Sequence, residues 1–200
     1  MSADKSHATP DLGVGLDEVY SSVNAGFGQA LGFGRRPVIV VVDFTCAYTD
    51  KEGALGSDVD LEIEATRRLL DAARDIGTPI IFTAIAYAEV QMRDSLFVQK
   101  VPAMRELLAG TPAVEIDPRL APRPDERVIY KEFASAFAAT SLTAQLNVLG
   151  ADSILIAGCS TSGCVRATVV DALQHGFVLW WSTTASPTGG GSRTRSPSLR

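Results

Sequence analysis

A three-layer α/β sandwich around a mostly parallel sheet is the fold class the chain predicts, and three observations predict it. Short β-branched runs are almost continuously apolar, as strands covered on both faces must be. Helix-like stretches of 3.6-residue periodicity alternate with them. Each of the longer helix-like stretches ends on a glycine, the residue that most readily takes the left-handed turn closing a helix. Strand and helix alternating in this way build a sheet with helices on its faces.

The elements follow in order. "RPVIVVVDF" supplies a first strand that ends on an acid, Asp43. Ser57 or Asp58 then caps a helix whose Leu61, Ala65, Leu69, Ala72 and Ile76 share one face, with Gly77 as its stop. "TPIIFTAIAY" is a second buried strand, and "VPAMRELLAG" a short helix after a less regular stretch. The Pro-rich "IDPRLAPRPDER" lacks donors and restricts its own neighbours, so it is a surface connection leading into a strand at "RVIYKE". Leu142, Leu146 and Leu149 mark a helix ended by Gly150, and "SILIAG" is the next strand. A turn containing Ser160 and Cys164 follows it. Val165, Val169, Ala172 and Leu173 then define one face of a helix ended by Gly176, and "FVLWW" begins a further strand. No internal repeat is present.

At 200 residues the chain suits one domain. A polar leader over 1–25, a single α/β domain over 26–182 and a tail over 183–200 are the expected divisions. The tail, rich in Gly, Ser, Thr, Pro and Arg without an acid, is expected to be disordered. With 46% hydrophobic and 20% charged residues and a net charge of −5, the chain lacks the basic excess that nucleic acid or an anionic membrane would attract. No apolar run reaches the ~18 residues of a membrane span, and the leader lacks a secretory pattern, so the expected location is cytoplasmic. In such a reducing compartment the three cysteines read as thiols.

Ligands in open α/β sheets bind beyond the carboxyl ends of the strands. Asp43, Lys131 and the turn from Ser160 to Cys164 all fall at such ends and can share one crevice. Cys164 stands in the first turn of the helix that follows, where free N–H groups and the helix dipole favour a thiolate. Cys159 and Cys46 lack that arrangement. The residues leave two readings open: a nucleophilic Cys164, or three small buried thiols that only pack. A Cys-His pair is disfavoured, because His7 lies in the leader and His175, eleven positions after Cys164, would stand about 16 Å along a continuous helix. Asp43 as proton acceptor and Lys131 as the associated cation remain as candidates, against the plainer roles of turn residue and solvated charge.

Together "VIVVVDF", "VIYKEFASAF" and "IAGCSTSGCVRATVVDALQHGF" resemble the isochorismatase-like cysteine hydrolases, which carry an Asp after the first strand, a Lys after a later one and a Cys in a "TSGCVRAT" turn. The resemblance runs from about Gly26 to Phe177, and "GFGQALGFGRRPVIVVVDF" is most similar to the N-carbamoylsarcosine and maleamate amidohydrolase branch. It implies catalysis by Asp43, Lys131 and Cys164, and an oxyanion hole from the backbone N–H groups of Ser160 and Cys164 after a cis peptide. It implies hydrolysis of the terminal amide or ureido C–N bond of a small carboxylate, N-carbamoylsarcosine first with maleamate as the alternative, releasing ammonia through a thioester intermediate. It also implies no cofactor, no metal and a homo-oligomer, namely a tetramer. Metal-dependent relatives use histidines that have no counterpart near Asp43. After Phe177 the family adds a carboxylate-binding Arg, a helix and a closing strand; here that strand and helix have no counterpart. Arg166 is not expected to replace the Arg. A catalytically impaired homologue, or a tail read in a shifted frame, is the competing expectation for this end of the chain.

Overall fold

The computed structural model describes residues 34–181. The expectations for the leader and for the tail, including the absent closing strand and helix, lie outside these residues. Among the described residues, five strands form a single sheet: β1 (Pro37–Val42), β2 (Ile80–Ile85), β3 (Arg127–Lys131), β4 (Ser153–Gly158) and β5 (Val178–Trp181). Six α-helical segments accompany them: α1 (Cys46–Thr49), α2 (Asp60–Asp75), α3 (Glu89–Asp94), α4 (Leu96–Lys100), α5 (Leu142–Leu149) and α6 (Arg166–Gln174).

Every strand pair is parallel and the order is β3-β2-β1-β4-β5. The chain therefore winds outward from β1 through β2 to β3, then returns to the other side of β1 for β4 and β5. Such a reversal leaves a crevice between the carboxyl ends of the two strands at which it occurs, here β1 and β4. Alternate residues of the strands enter two cores. Val38, Val40, Val42, Ile81 and Ile85 pack with Leu142 and Leu146 of α5 and Ala172 of α6. Ile39, Val41 and Phe82 pack with Ile63, Leu70 and Ala73 of α2. Three layers result.

Glycine is required where β4 meets β1. Gly158 is paired with Val42 and has φ of 143°, and a Cβ there would lie 2.0 Å from the Val42 carbonyl oxygen. No other residue allows the two strand ends to approach so closely. Gly77, at φ of 70°, ends α2: the Thr78 N–H donates to Ala73 O and the Gly77 N–H to Arg74 O. This is the paired hydrogen-bond closure expected of a helix stop.

Several details differ from the expectations. Helix α2 begins at Asp60 after Val59, which supplies no side-chain cap, later than expected; Asp58 nevertheless accepts the Asp60 N–H on its Oδ1 at 3.4 Å, while Ser57 stands further back. Its buried residues are Ile63, Thr66, Leu70 and Ala73, whereas Leu61 and Ile76 are 83% and 80% exposed. The pairs Leu69-Leu70 and Ala72-Ala73 fit either of two stripes about 100° apart, and packing selects the second. In α6 the buried positions are Thr168 and Ala172, with Leu173 60% exposed. Thr168 can occupy a core position because its hydroxyl donates to Cys164 O at 2.7 Å and accepts from the Ala136 N–H at 3.0 Å. "VPAMRELLAG" forms only a 3₁₀ turn, Pro102–Glu106, and the less regular stretch before it holds α3 and α4. The Pro-rich connection is anchored rather than merely superficial. Leu120 is fully buried, and the Arg74 guanidinium donates to Leu120 O, to Ala121 O and to Glu126 Oε1, the last at 2.7 Å.

Candidate active site

Asp43, Lys131 and Cys164 come together at the carboxyl end of the sheet. Asp43 follows the last residue of β1 and has φ of 54°, a left-handed conformation that only a few non-glycine residues adopt. Its N–H donates to Thr83 O of β2 at 3.0 Å. Lys131 ends β3, paired with Ile85, and its side chain crosses β2 to reach Asp43. Nζ donates to Asp43 Oδ2 at 2.7 Å and to the carbonyls of Phe133 and Ala134, both at 3.1 Å. All three ammonium protons thus have acceptors, and both side chains of the pair are 0% exposed.

Burial controls the electrostatics. Desolvation pushes the Asp43 carboxyl above the usual carboxylate range, although the Lys131 charge and the nearby Cys164 thiol work against the rise. Asp43 Oδ1 is buried without a hydrogen-bond partner. The Cys164 thiol is pushed up to about 12, first by burial and then by the Asp43 charge, with Lys131 opposing. This corrects the expectation of a thiolate favoured by a helix N-terminus. Cys164 lies in a π turn, Thr161–Val165, which is interrupted by non-helical Gly163 and precedes the start of α6 at Arg166. Desolvation and the neighbouring carboxylate outweigh the helix end.

The turn itself has the form the resemblance implies. The Cys159–Ser160 peptide is cis. Ser160 O then accepts from the Gly163 N–H at 3.1 Å and the Val165 N–H at 3.2 Å, which folds Cys164 back over the end of β1. A cavity of about 180 Å³ opens over the thiol, lined by Tyr48, Leu55, Phe97, Val101, Met104 and Ala134 together with Ser160, Gly163 and Cys164. It is smaller than the ~300 Å³ lower bound of sites for drug-sized ligands, so it suits a substrate of few atoms. Phe97 and Ala134 also line an adjoining hollow of about 720 Å³. A third hollow, of about 320 Å³ and lined by Thr78, Pro79 and Arg127, lies at the opposite ends of the strands and holds none of these groups.

Tyr48 and Phe97 were not foreseen. Tyr48 could have been found from its place five residues beyond Asp43 in "DFTCAYTD", but Phe97 sits in a stretch without a readable pattern. Other candidates stand elsewhere. Cys46, on α1, does not line the cavity, and its thiol is held above the usual range by burial and by Asp117. His175 stacks on Phe137 with ring centroids 4.9 Å apart, and Arg166 is exposed. Among the described residues, no group of three or more His, Cys, Asp or Glu side chains is assembled that could hold a metal.

Comparison with known proteins agrees with this architecture. Residues 37–188 match the isochorismatase domain. Over 153 residues the chain is 42% identical to a maleamate amidohydrolase of Pseudomonas putida, covering 76% of this chain and 72% of that protein. It is 32% identical over 158 residues to an N-carbamoylsarcosine amidase of an Arthrobacter species, covering 76% of this chain and 60% of that one. In fold it is similar to a cysteine hydrolase of Pseudomonas syringae pv. phaseolicola, with a TM-score of 0.71, 24% identity, and 78% and 77% of the two chains covered. A parallel five-strand sheet of this order, the crevice between β1 and β4, and a domain match across most of the chain lead to one conclusion: the chain belongs to the isochorismatase family.

Proposed function

We propose that this protein is a cysteine amidohydrolase that cleaves the terminal amide or ureido C–N bond of a small carboxylate and releases ammonia. The observation that carries this reading is the buried Lys131–Asp43 pair, joined at 2.7 Å, beside the Cys164 thiol in a cavity of about 180 Å³. A thiol pushed up to about 12 is protonated at rest, so attack requires a base in contact with it. Asp43 is that base. Its carboxyl group interacts with the Cys164 thiol, and the Lys131 ammonium favours its charged form.

In this reading the Cys164 sulfur forms a bond to the amide carbon as its proton passes to Asp43. The negative charge on the former carbonyl oxygen is received by the backbone N–H groups of Ser160 and Cys164. Asp43 then gives its proton to the departing nitrogen, the C–N bond breaks, and a thioester remains. Water attacks the thioester, its proton passes to Asp43, and cleavage of the C–S bond returns that proton to sulfur. The acid product and ammonia leave, and the site is restored.

Among substrates, a maleamate-like amic acid is favoured over an N-carbamoyl amino acid by the higher identity, 42% against 32%, to the relative named for it. Ammonia release measured with maleamate, N-carbamoylsarcosine and nicotinamide tests the class. Turnover of one of the two carboxylates at least tenfold above nicotinamide is expected. Cys164→Ala abolishes this turnover and Cys46→Ala leaves it within about twofold. Equal loss in two folded variants would overturn the assignment of the nucleophile. We propose further that the protein assembles into a homo-oligomer, a tetramer by family resemblance, which sedimentation equilibrium tests.

A further inference from the structure

Asp43 is held on three sides, and only two of the ties are explained by the chemistry above. Its carboxylate is fixed by Lys131 of β3 and its N–H by Thr83 O of β2. The third tie comes from β4. The Cys159 thiol, buried at 4% exposure, donates to the Asp43 carbonyl oxygen across 3.1 Å. The Cys159 N–H also donates to Val42 O at 2.9 Å, so a single residue grips two consecutive carbonyls at the end of β1. Gly158 permits this grip, because any side chain there would collide with Val42 O.

The grip falls where the backbone most needs one. At φ of 54° Asp43 occupies a conformation that surrounding structure must enforce in a residue bearing a side chain. Rotating that backbone toward an extended strand would turn the carboxylate away from Lys131 and Cys164. A tie to the carbonyl resists this rotation directly. Ties to the N–H and to the carboxylate leave the following peptide plane free to tilt.

We propose that Cys159 is a positioning residue whose S–H···O=C bond to Asp43 maintains the left-handed turn and thereby the aim of the Asp43 carboxylate at Cys164. Desolvation, and after it the Asp43 charge, holds the Cys159 thiol well above the usual range, so its donor proton is retained. Cys159 is unsuited to attack a substrate, because it does not line the cavity over Cys164 and its thiol proton is held by the Asp43 carbonyl.

The inference rests on Asp43 being the base, and the test separates the two. Three variants are compared: Cys159→Ser keeps a donor, Cys159→Val fills the space without one, and Cys159→Ala removes both bulk and donor. Their kcat, KM, pH profiles and thermal unfolding are measured, and a crystal structure of Cys159→Val gives the φ of Asp43. The expected result is kcat about tenfold lower in Val and Ala with KM within twofold, an acid limb moved to higher pH, and Ser within about threefold of the parent. The Asp43 φ in the Val variant is expected to leave the positive region. Unchanged φ and kcat in Cys159→Val would overturn the proposal, as would losses that follow the unfolding temperature alone. Displaced φ with undiminished kcat would instead reject Asp43 as the base while retaining the positioning role.

Discussion

A carboxylate enclosed at 0% exposure keeps its charge only if something replaces the water it has lost. For Asp43 the replacement is the Lys131 ammonium, and the balance still lies above the ordinary value of 3.8 because desolvation outweighs that attraction. The consequence for activity has a definite sign. A raised carboxylate binds its proton at a pH where an exposed Asp would have released it, so the base form accumulates only as pH climbs through the raised value. The acid limb of kcat/KM is therefore expected above the usual carboxylate range. Lys131→Met removes a lowering influence and moves the limb further upward. Stripping one partner from a buried pair costs about 3–5 kcal/mol of stability, so folding of this variant is followed by urea unfolding under the assay conditions. Coincident limbs in the parent and a folded Lys131→Met variant would sink the electrostatic account.

At the scale of an element, α2 shows how packing resolves an ambiguity in periodicity. Two apolar stripes are available along the same sixteen residues, and the sheet covers the one containing Ile63, Leu70 and Ala73. Leu70 is 0% exposed and Leu61 is 83% exposed. Leu70→Ala should then cost about 2–5 kcal/mol, the range for truncating a buried Leu. Leu61→Ala should lie within about 0.5 kcal/mol of the parent, as surface changes do. Denaturant unfolding of the pair checks the helix phase, and comparable losses in both would contradict it. Thr168 carries the same lesson in α6, where a hydroxyl with both a donor and an acceptor partner takes a core position that hydrophobicity alone awards to Leu173.

For the molecule as a whole, the sheet order decides what chemistry is available. Winding outward from β1 and returning for β4 places the Cys164 turn beside Asp43, while β3, two strands away, delivers Lys131 through a side chain long enough to cross β2. Among the described residues, no group of three or more His, Cys, Asp or Glu side chains stands ready to hold a metal. Dialysis against a chelator is accordingly expected to leave ammonia release unchanged. Activity that is lost on chelation and recovered with zinc would refute a metal-independent reaction.

The order of strands and helices, the glycine stops and the placing of Asp43, Lys131 and Cys164 at strand ends were legible in the sequence, because they depend on local rules: β-branched runs extend, and glycine tolerates a left-handed turn. The family motif around Cys164 was legible for the same reason, being contiguous. Other properties depend on groups distant in the chain. The stripe that α2 buries, the anchoring of the Pro-rich connection by Arg74, and the walls contributed by Tyr48 and Phe97 arise only when the layers close. The direction of the Cys164 shift belongs there too. A helix end is a local feature that argues for a thiolate, whereas burial and the Asp43 charge are tertiary and argue for a thiol. They prevail because desolvation acts on the whole charge of the sulfur, and the dipole of a helix that starts at Arg166 supplies only a partial charge beyond the turn.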